Sequence, residues 1–262
     1  MFYELAISHW LSAGQCPNGL IVRLQGFGQG VFGGNFHTHN SLQMPPGIDV
    51  VCYSNGYDYA RGMRYCLEQA AAGRVVMTVD STALLNLRHL DGSVMDNAWM
   101  TQYPAGDDEV LPWSDVVRYD DDDVAGPGAG GLAIVTYGHG VVHALGARTA
   151  LKASGSAHAQ RVTVIDVPLL SEVAVGLREA VSGFDAVVFA DVCKQGQQPL
   201  AGIATQLHAE KRLPRLWSSV ASTRTYNPLG TTLTFLSQSD IVACCQKLFD
   251  GEGEGEGVMM DN

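Results

Sequence analysis

From residue 132 onward the chain alternates short runs of β-branched and aliphatic residues with helix-length stretches, and this alternation limits the possible folds more than any other feature. The runs 132–137, 162–167, 186–190 and 216–221 are expected strands. The stretches 141–153, 173–181 and 200–213 are expected helices, and Ser237 is the expected N-cap of a closing helix that runs to Phe249. Strands separated by helices of this length cannot form hairpins. They call for parallel pairing through right-handed crossovers, hence an α/β layer structure.

The first half carries a shorter version of the same pattern. An apolar run at 20–24 leads into GFGQGVFGGNFHTHNS, from Gly26 to Ser41, where five of the first nine residues are glycine. Such a segment suits a chain that must turn through positive φ or let a ligand approach the backbone. Phe36, His37, Thr38, His39, Asn40 and Ser41 close it with a dense set of groups able to exchange protons or hydrogen bonds. A second strand is expected at 47–53, a helix begins after the caps Ser54 and Asn55 and closes at Gly73, and 75–79 is a third strand, apolar except for Thr78. Between Asp80 and Tyr119 periodicity fades. The acidic run Asp120–Asp123 followed by the glycines of 126–131 is the clearest linker signal, since neither can bury apolar area.

The expected organisation is therefore two consecutive three-layer parallel-sheet α/β domains, at 1–119 and 132–250, joined by a linker at 120–131 and followed by a disordered Glu-Gly tail at 251–262. Residues 1–10 read as the middle of a helix with no cap before them, so the first domain is expected to lack an N-terminal portion.

Composition narrows the function classes. A formal charge of −11 without a basic run gives no footprint for nucleic acid. No 18-residue apolar stretch suggests a membrane span. The six cysteines lack C-x-x-C spacing and several fall in expected core segments, which favours reduced thiols and an intracellular setting. His37 and His39 have no third or fourth ligand spaced with them, so a zinc site is rejected. Gly28, Gly30 and Gly33 fit the dinucleotide pattern G-x-G-x-x-G, but Gly34, Asn35 and two histidines follow where a helix must open, and that reading is set aside.

Several pieces in order carry a resemblance. They are the Gly-rich run ending in Phe36-His37 with Asn40-Ser41, then Pro46-Gly47-Ile48, Val50-Val51 and the Tyr57-Asp58 helix start, and later Ile134-Val135-Thr136-Tyr137-Gly138 and Val164-Ile165-Asp166. Over nearly its whole length the chain resembles the beta-type part of the thiamine-diphosphate-dependent 2-oxoacid dehydrogenases. The resemblance implies a truncated transketolase-like pyrimidine-binding domain followed by a transketolase C-terminal-like domain. The implied activity is oxidative decarboxylation of pyruvate or a branched-chain 2-oxoacid, with acyl transfer to lipoyl groups. It also implies thiamine diphosphate with Mg²⁺ shared with an alpha-type subunit or a missing segment, a lipoyl acyltransferase core as partner, and an oligomer. The compartment implied is the mitochondrial matrix in a eukaryote and the cytoplasm in a bacterium.

The resemblance places His37 in the catalytic role, facing the cofactor, with Phe36, His39 and Asn40 close to substrate or cofactor. His39 tunes His37 or is a solvated loop residue. The family's activating carboxylate and its diphosphate and Mg²⁺ motif have no counterpart in the sequence. Asp80 and Leu85 replace a Glu and a Tyr of relatives, and Asp191-Val192-Cys193-Lys194 replaces an acidic-plus-Arg loop. A catalytically inactive relative serving as a scaffold is the alternative that these departures keep open.

Overall fold

The computed structural model describes residues 2–29, 40–42, 44–90, 94–120, 131–155, 161–227 and 234–250. Helix α1 (Phe2–Leu11) precedes β1 (Leu20–Gly26), β2 (Ile48–Val51), α2 (Gly56–Ala71) and β3 (Val75–Ser81). Then follow β4 (Val117–Tyr119), β5 (Leu132–Thr136), α3 (Gly140–Ala153), β6 (Val162–Asp166), α4 (Val175–Val181), β7 (Ala186–Lys194), α5 (Pro199–Ala209), β8 (Leu216–Ser222) and α6 (Gln238–Phe249).

The strands form two sheets. β1, β3 and β2 make a parallel three-stranded sheet in that order, and β4, β6, β5, β7 and β8 make a five-stranded sheet in which β4 alone is antiparallel. The central strands β5 and β6 are buried along their whole length, as expected where helices cover both faces. Each fully buried Leu, Ile or Val contributes roughly 1.5–3 kcal/mol relative to exposure. The alternating architecture is thus present with nearly the expected elements.

Local chemistry explains their ends. Asn55 accepts the Asp58 amide through its side chain (2.9 Å) and starts α2, while Gly73 takes φ +93° to release the chain into β3. Ser237 and Asp240 form a capping box that starts α6. The region 94–116 has little regular structure because it is strapped to α2 by side chains. Arg61 and Arg64 donate to the carbonyls of Val110 (3.2 Å) and Glu109 (3.0 Å), and Tyr57 donates to the Glu109 carboxylate (2.7 Å).

Two features depart from expectation. β4 was not visible in sequence, being three half-buried residues whose pairing depends on a distant partner, Val117 with Asp166 and Tyr119 with Val164. It lies within 1–119 yet joins the second sheet. The segment Asp191–Lys194, expected as a loop, is instead the end of β7, which pairs Asp191 with Ala221 and Lys194 with Ser222 and so bulges at Val192 and Cys193. The body of the expected linker, 121–130, and the tail 251–262 lie outside the described residues.

The segment after β6 joins the two sheets. Cys52 donates its amide to the Pro168 carbonyl (2.9 Å), Leu170 donates to Val50 (2.8 Å), and Val51 and Leu169 form an antiparallel bridge along the free edge of β2. One hydrophobic core then runs from Ile48, Val50 and Met77 through Ile134 and Val188 to Leu248.

Two glycines test this packing in opposite directions. A Cβ on Gly62 in α2 would overlap the Tyr53 ring, whereas one on Gly202 in α5 meets nothing within 4 Å. Gly62→Ala is expected to lower stability by about 1–3 kcal/mol through overpacking. Gly202→Ala is expected to raise it by roughly 0.5–1 kcal/mol through helix propensity. Urea unfolding of both variants checks the pair.

Candidate functional site

In open parallel sheets ligands bind outside the carboxyl ends of the strands. Here the carboxyl ends of both sheets meet. β1 leaves through Gly26 and Phe27, β3 ends at Ser81, and β5 ends at the turn Tyr137-Gly138-His139 that opens α3. The Phe27 ring sits edge-on to Tyr137, with centroids 5.2 Å apart, and both side chains are fully buried. Gly138 has φ +57°, and a Cβ there would stand 3.2 Å from the Cys52 sulfur, so the two strand ends approach at a place where a side chain would be tight. Phe27 itself takes φ +49°, a conformation costing a non-glycine residue about 1–2 kcal/mol, which its buried ring offsets.

Polar contacts at this meeting are specific. The Ser81 hydroxyl lies 3.3 Å from the Phe27 carbonyl and 3.2 Å from His139 Nδ1. Ser81 has one proton, and the carbonyl can only accept it. The Ser81 hydroxyl thus links the Phe27 carbonyl to the His139 ring, whose Nε2 is buried with no hydrogen-bond partner among the described residues. One turn later, His143 Nε2 lies 2.8 Å from Gln29 Nε2, so His143 accepts from the carboxamide. Burial is the main cause that pushes His139 down from 6.5 to about 3, aided by the neighbouring His143, and burial lowers His143 as well. Both rings are neutral at pH 7. A ring with so low a pKa is a hydrogen-bonding group, not a general base.

Of the residues singled out in sequence, Phe36, His37 and His39 lie outside the described residues. Asn40 is described, and it anchors. Its Nδ2 donates to the Val192 carbonyl (2.9 Å) and its own carbonyl accepts the Lys194 amide (2.8 Å), both in the bulge of β7. The Gly-rich segment is therefore held at both roots: Gln29 to α3 before it, and Asn40 to β7 after it.

As site residues, sequence reasoning passed over Gln29, Ser81, His139 and His143, and it took Tyr137 and Asp191 only as pieces of longer motifs. The available signal was Tyr137-Gly138-His139-Gly140, a histidine between two glycines at a strand-to-helix turn. Asp191 accepts from the Tyr137 hydroxyl (2.6 Å) and the amides of Cys193 (2.8 Å) and Leu200 (2.9 Å). Burial pushes its carboxyl up to about 6 although these three donors oppose it. Asp80 is tied to Arg23, and burial pushes the Asp166 carboxyl well above the usual carboxylate range. Among the described residues no group of three or more His, Cys, Asp or Glu is placed to hold a metal ion. No helix among them is long and apolar enough to cross a membrane.

Together the two sheets, parallel but for β4, and the convergence of their carboxyl ends define a transketolase-like α/β fold. One solved structure with this likeness is a split-gene transketolase, described as an inactive beta4 tetramer. It matches with a TM-score of 0.55 and 16% identity over 94% of this chain and 74% of that one. No protein-family model matches the sequence. No curated protein matches it in sequence either.

The neutral state of His139 has a pH consequence. Its folded pKa lies below the unfolded one, so its contribution to stability is complete above about pH 6.5 and is lost as pH falls toward 3. His139→Gln is expected to flatten the acid limb of stability between pH 6.5 and 4, removing a slope of up to about 1.4 kcal/mol per pH unit. Urea midpoints measured across that range check it.

Proposed function

We propose that the chain is the beta-type half of the decarboxylating component of a 2-oxoacid dehydrogenase complex, active only with an alpha-type partner. The observation that carries the reading is the double anchorage of the Gly-rich segment, by Gln29 on α3 and by Asn40 on β7, over the meeting of the strand ends. The transketolase-like fold supports a thiamine-diphosphate enzyme.

The sequence has no counterpart of the family's diphosphate and Mg²⁺ motif, so in this reading these fall to the partner. What this chain supplies is the wall of the site and a proton-exchanging group. His37 is that group, because an imidazole ordinarily titrates near neutral pH. Phe36 lines the site, and His39 adjusts His37. Acyl transfer goes to a lipoyl group on an acyltransferase partner, in the mitochondrial matrix or the bacterial cytoplasm according to source. The solved relative, an inactive beta tetramer, is consistent with a half that needs a partner.

A second reading, an inactive relative used as a scaffold, is favoured by one observation: Asp80, where catalytic relatives carry Glu, is bonded to Arg23.

Co-purification with an alpha-type subunit tests both. The assembly is expected to decarboxylate pyruvate or a branched-chain 2-oxoacid in the presence of a lipoyl acceptor. His37→Ala is expected to lower turnover by roughly 10²- to 10⁴-fold with the fold intact, and His39→Ala far less. The isolated chain is expected to show no micromolar binding of thiamine diphosphate with Mg²⁺ by calorimetry. Such binding overturns the half-site reading, and assembly without any turnover favours the scaffold.

A further inference from the structure

Asp191 is a buried carboxylate that sits outside the set of groups the proposed reaction uses. It is 3% exposed and takes three donors from three places: the Tyr137 hydroxyl at the end of β5, the Cys193 amide inside the bulge of β7, and the Leu200 amide in the first turn of α5. Tyr137 OH also lies 3.3 Å from the Cys193 sulfur. The carboxylate therefore fixes the backbone on both sides of Val192. That backbone in turn holds Asn40, through the Val192 carbonyl and the Lys194 amide.

The bulge has a second tie on its outer side. Ser222 donates its hydroxyl to the same Val192 carbonyl (2.9 Å), and its own carbonyl accepts the Gln195 amide (2.9 Å). Val192 C=O thus serves two donors, one from β8 and one from the Gly-rich segment. A carbonyl shared in this way must be aimed between them. The groups that aim it are Asp191 and Ser222.

We infer that Asp191, oriented by Tyr137, is a positioning residue for Asn40: it sets the β7 bulge so that Val192 and Lys194 clamp Asn40. The chain of contacts is short and polar at every step, from Tyr137 to Asp191, to Cys193, to the flanking peptide groups, to Asn40. The inference concerns the placement of Asn40 and stands on geometry alone. Its effect on turnover rests on the function proposed above.

The test uses the full chain, amide hydrogen exchange resolved by NMR, and the variants Tyr137→Phe, Asp191→Asn, Asn40→Ala and the double variant Tyr137→Phe/Asn40→Ala. Tyr137→Phe removes one donor and leaves the other two, so it is the variant chosen to preserve the fold. Exchange at the Lys194 amide, which donates to Asn40, is expected to rise at least tenfold in Tyr137→Phe and in Asn40→Ala. Amides of β6 are expected to stay unchanged. The double variant is expected to exchange no faster than Asn40→Ala alone, because both substitutions break one path.

Three results overturn the inference: unaltered exchange at Lys194, a rise spread equally over β6, or additive effects in the double variant. Asp191→Asn places an amide against the Leu200 N–H. A rise confined to the first turn of α5 in that variant reduces Asp191 to a helix cap and likewise overturns the inference. In the assembly with an alpha-type partner, Tyr137→Phe is expected to lower kcat at least tenfold with KM within twofold. If the wild-type assembly has no turnover, the function proposed above fails, while the Lys194 exchange still decides the inference.

Discussion

The short backbone pairing between 168–171 and the edge of β2 is the contact on which the rest of the arrangement depends. A three-stranded parallel sheet is a poor unit by itself, since two of its strands present unpaired peptide groups and little of its surface is covered. By taking up β2's edge, the segment after β6 covers one of those two edges and joins the two sheets through one core. It also fixes the angle at which the strand ends face each other. The Ser81–His139 bond and the Asn40 clamp both depend on that registration, because each links the first half of the chain to the second.

The meeting place so created is polar yet almost free of net charge. His139 and His143 are neutral, burial pushes the Asp166 carboxyl well up, and the Asp191 charge is enclosed by three donors that lie within the protein. Oriented dipoles remain: the Phe27 carbonyl, the Ser81 hydroxyl and the His139 ring. In a dry setting such groups act more strongly than in water, and they need no reorganisation. The charge of the chain as a whole, −11, lies elsewhere.

Strand and helix order was legible because it depends on local composition: apolar runs such as Val-Thr-Val-Ile at 162–165, caps such as Ser237, and breakers such as Gly73 each act within a few residues. β4 was not legible, because Val117-Arg118-Tyr119 becomes a strand only through β6. The end of β7 was misjudged for a related reason. Asp191 and Lys194 look like loop residues by polarity, and only the three donors around Asp191 make a buried charge tolerable there. The Gly-rich segment was recognised from its glycines, but the groups that hold its roots, Gln29 with His143 and Asn40 with Val192, are separated by more than a hundred positions. No local pattern encodes a pairing at that distance.

The three bonds of Asp191 also govern how the chain can change length. One carboxylate reaches residue 191's own strand at Cys193 and the next helix at Leu200, so the number of residues between them is fixed by geometry. Adding or deleting one residue there would turn the bulge over and present the wrong face of the peptide to Asn40. The stretch 94–116 has no such constraint, since it is held to α2 mostly by the long, adaptable side chains of Arg61 and Arg64. Insertions and deletions accumulated by descendants of this chain should therefore crowd into the second segment and spare the first, a pattern set by where one buried charge was placed.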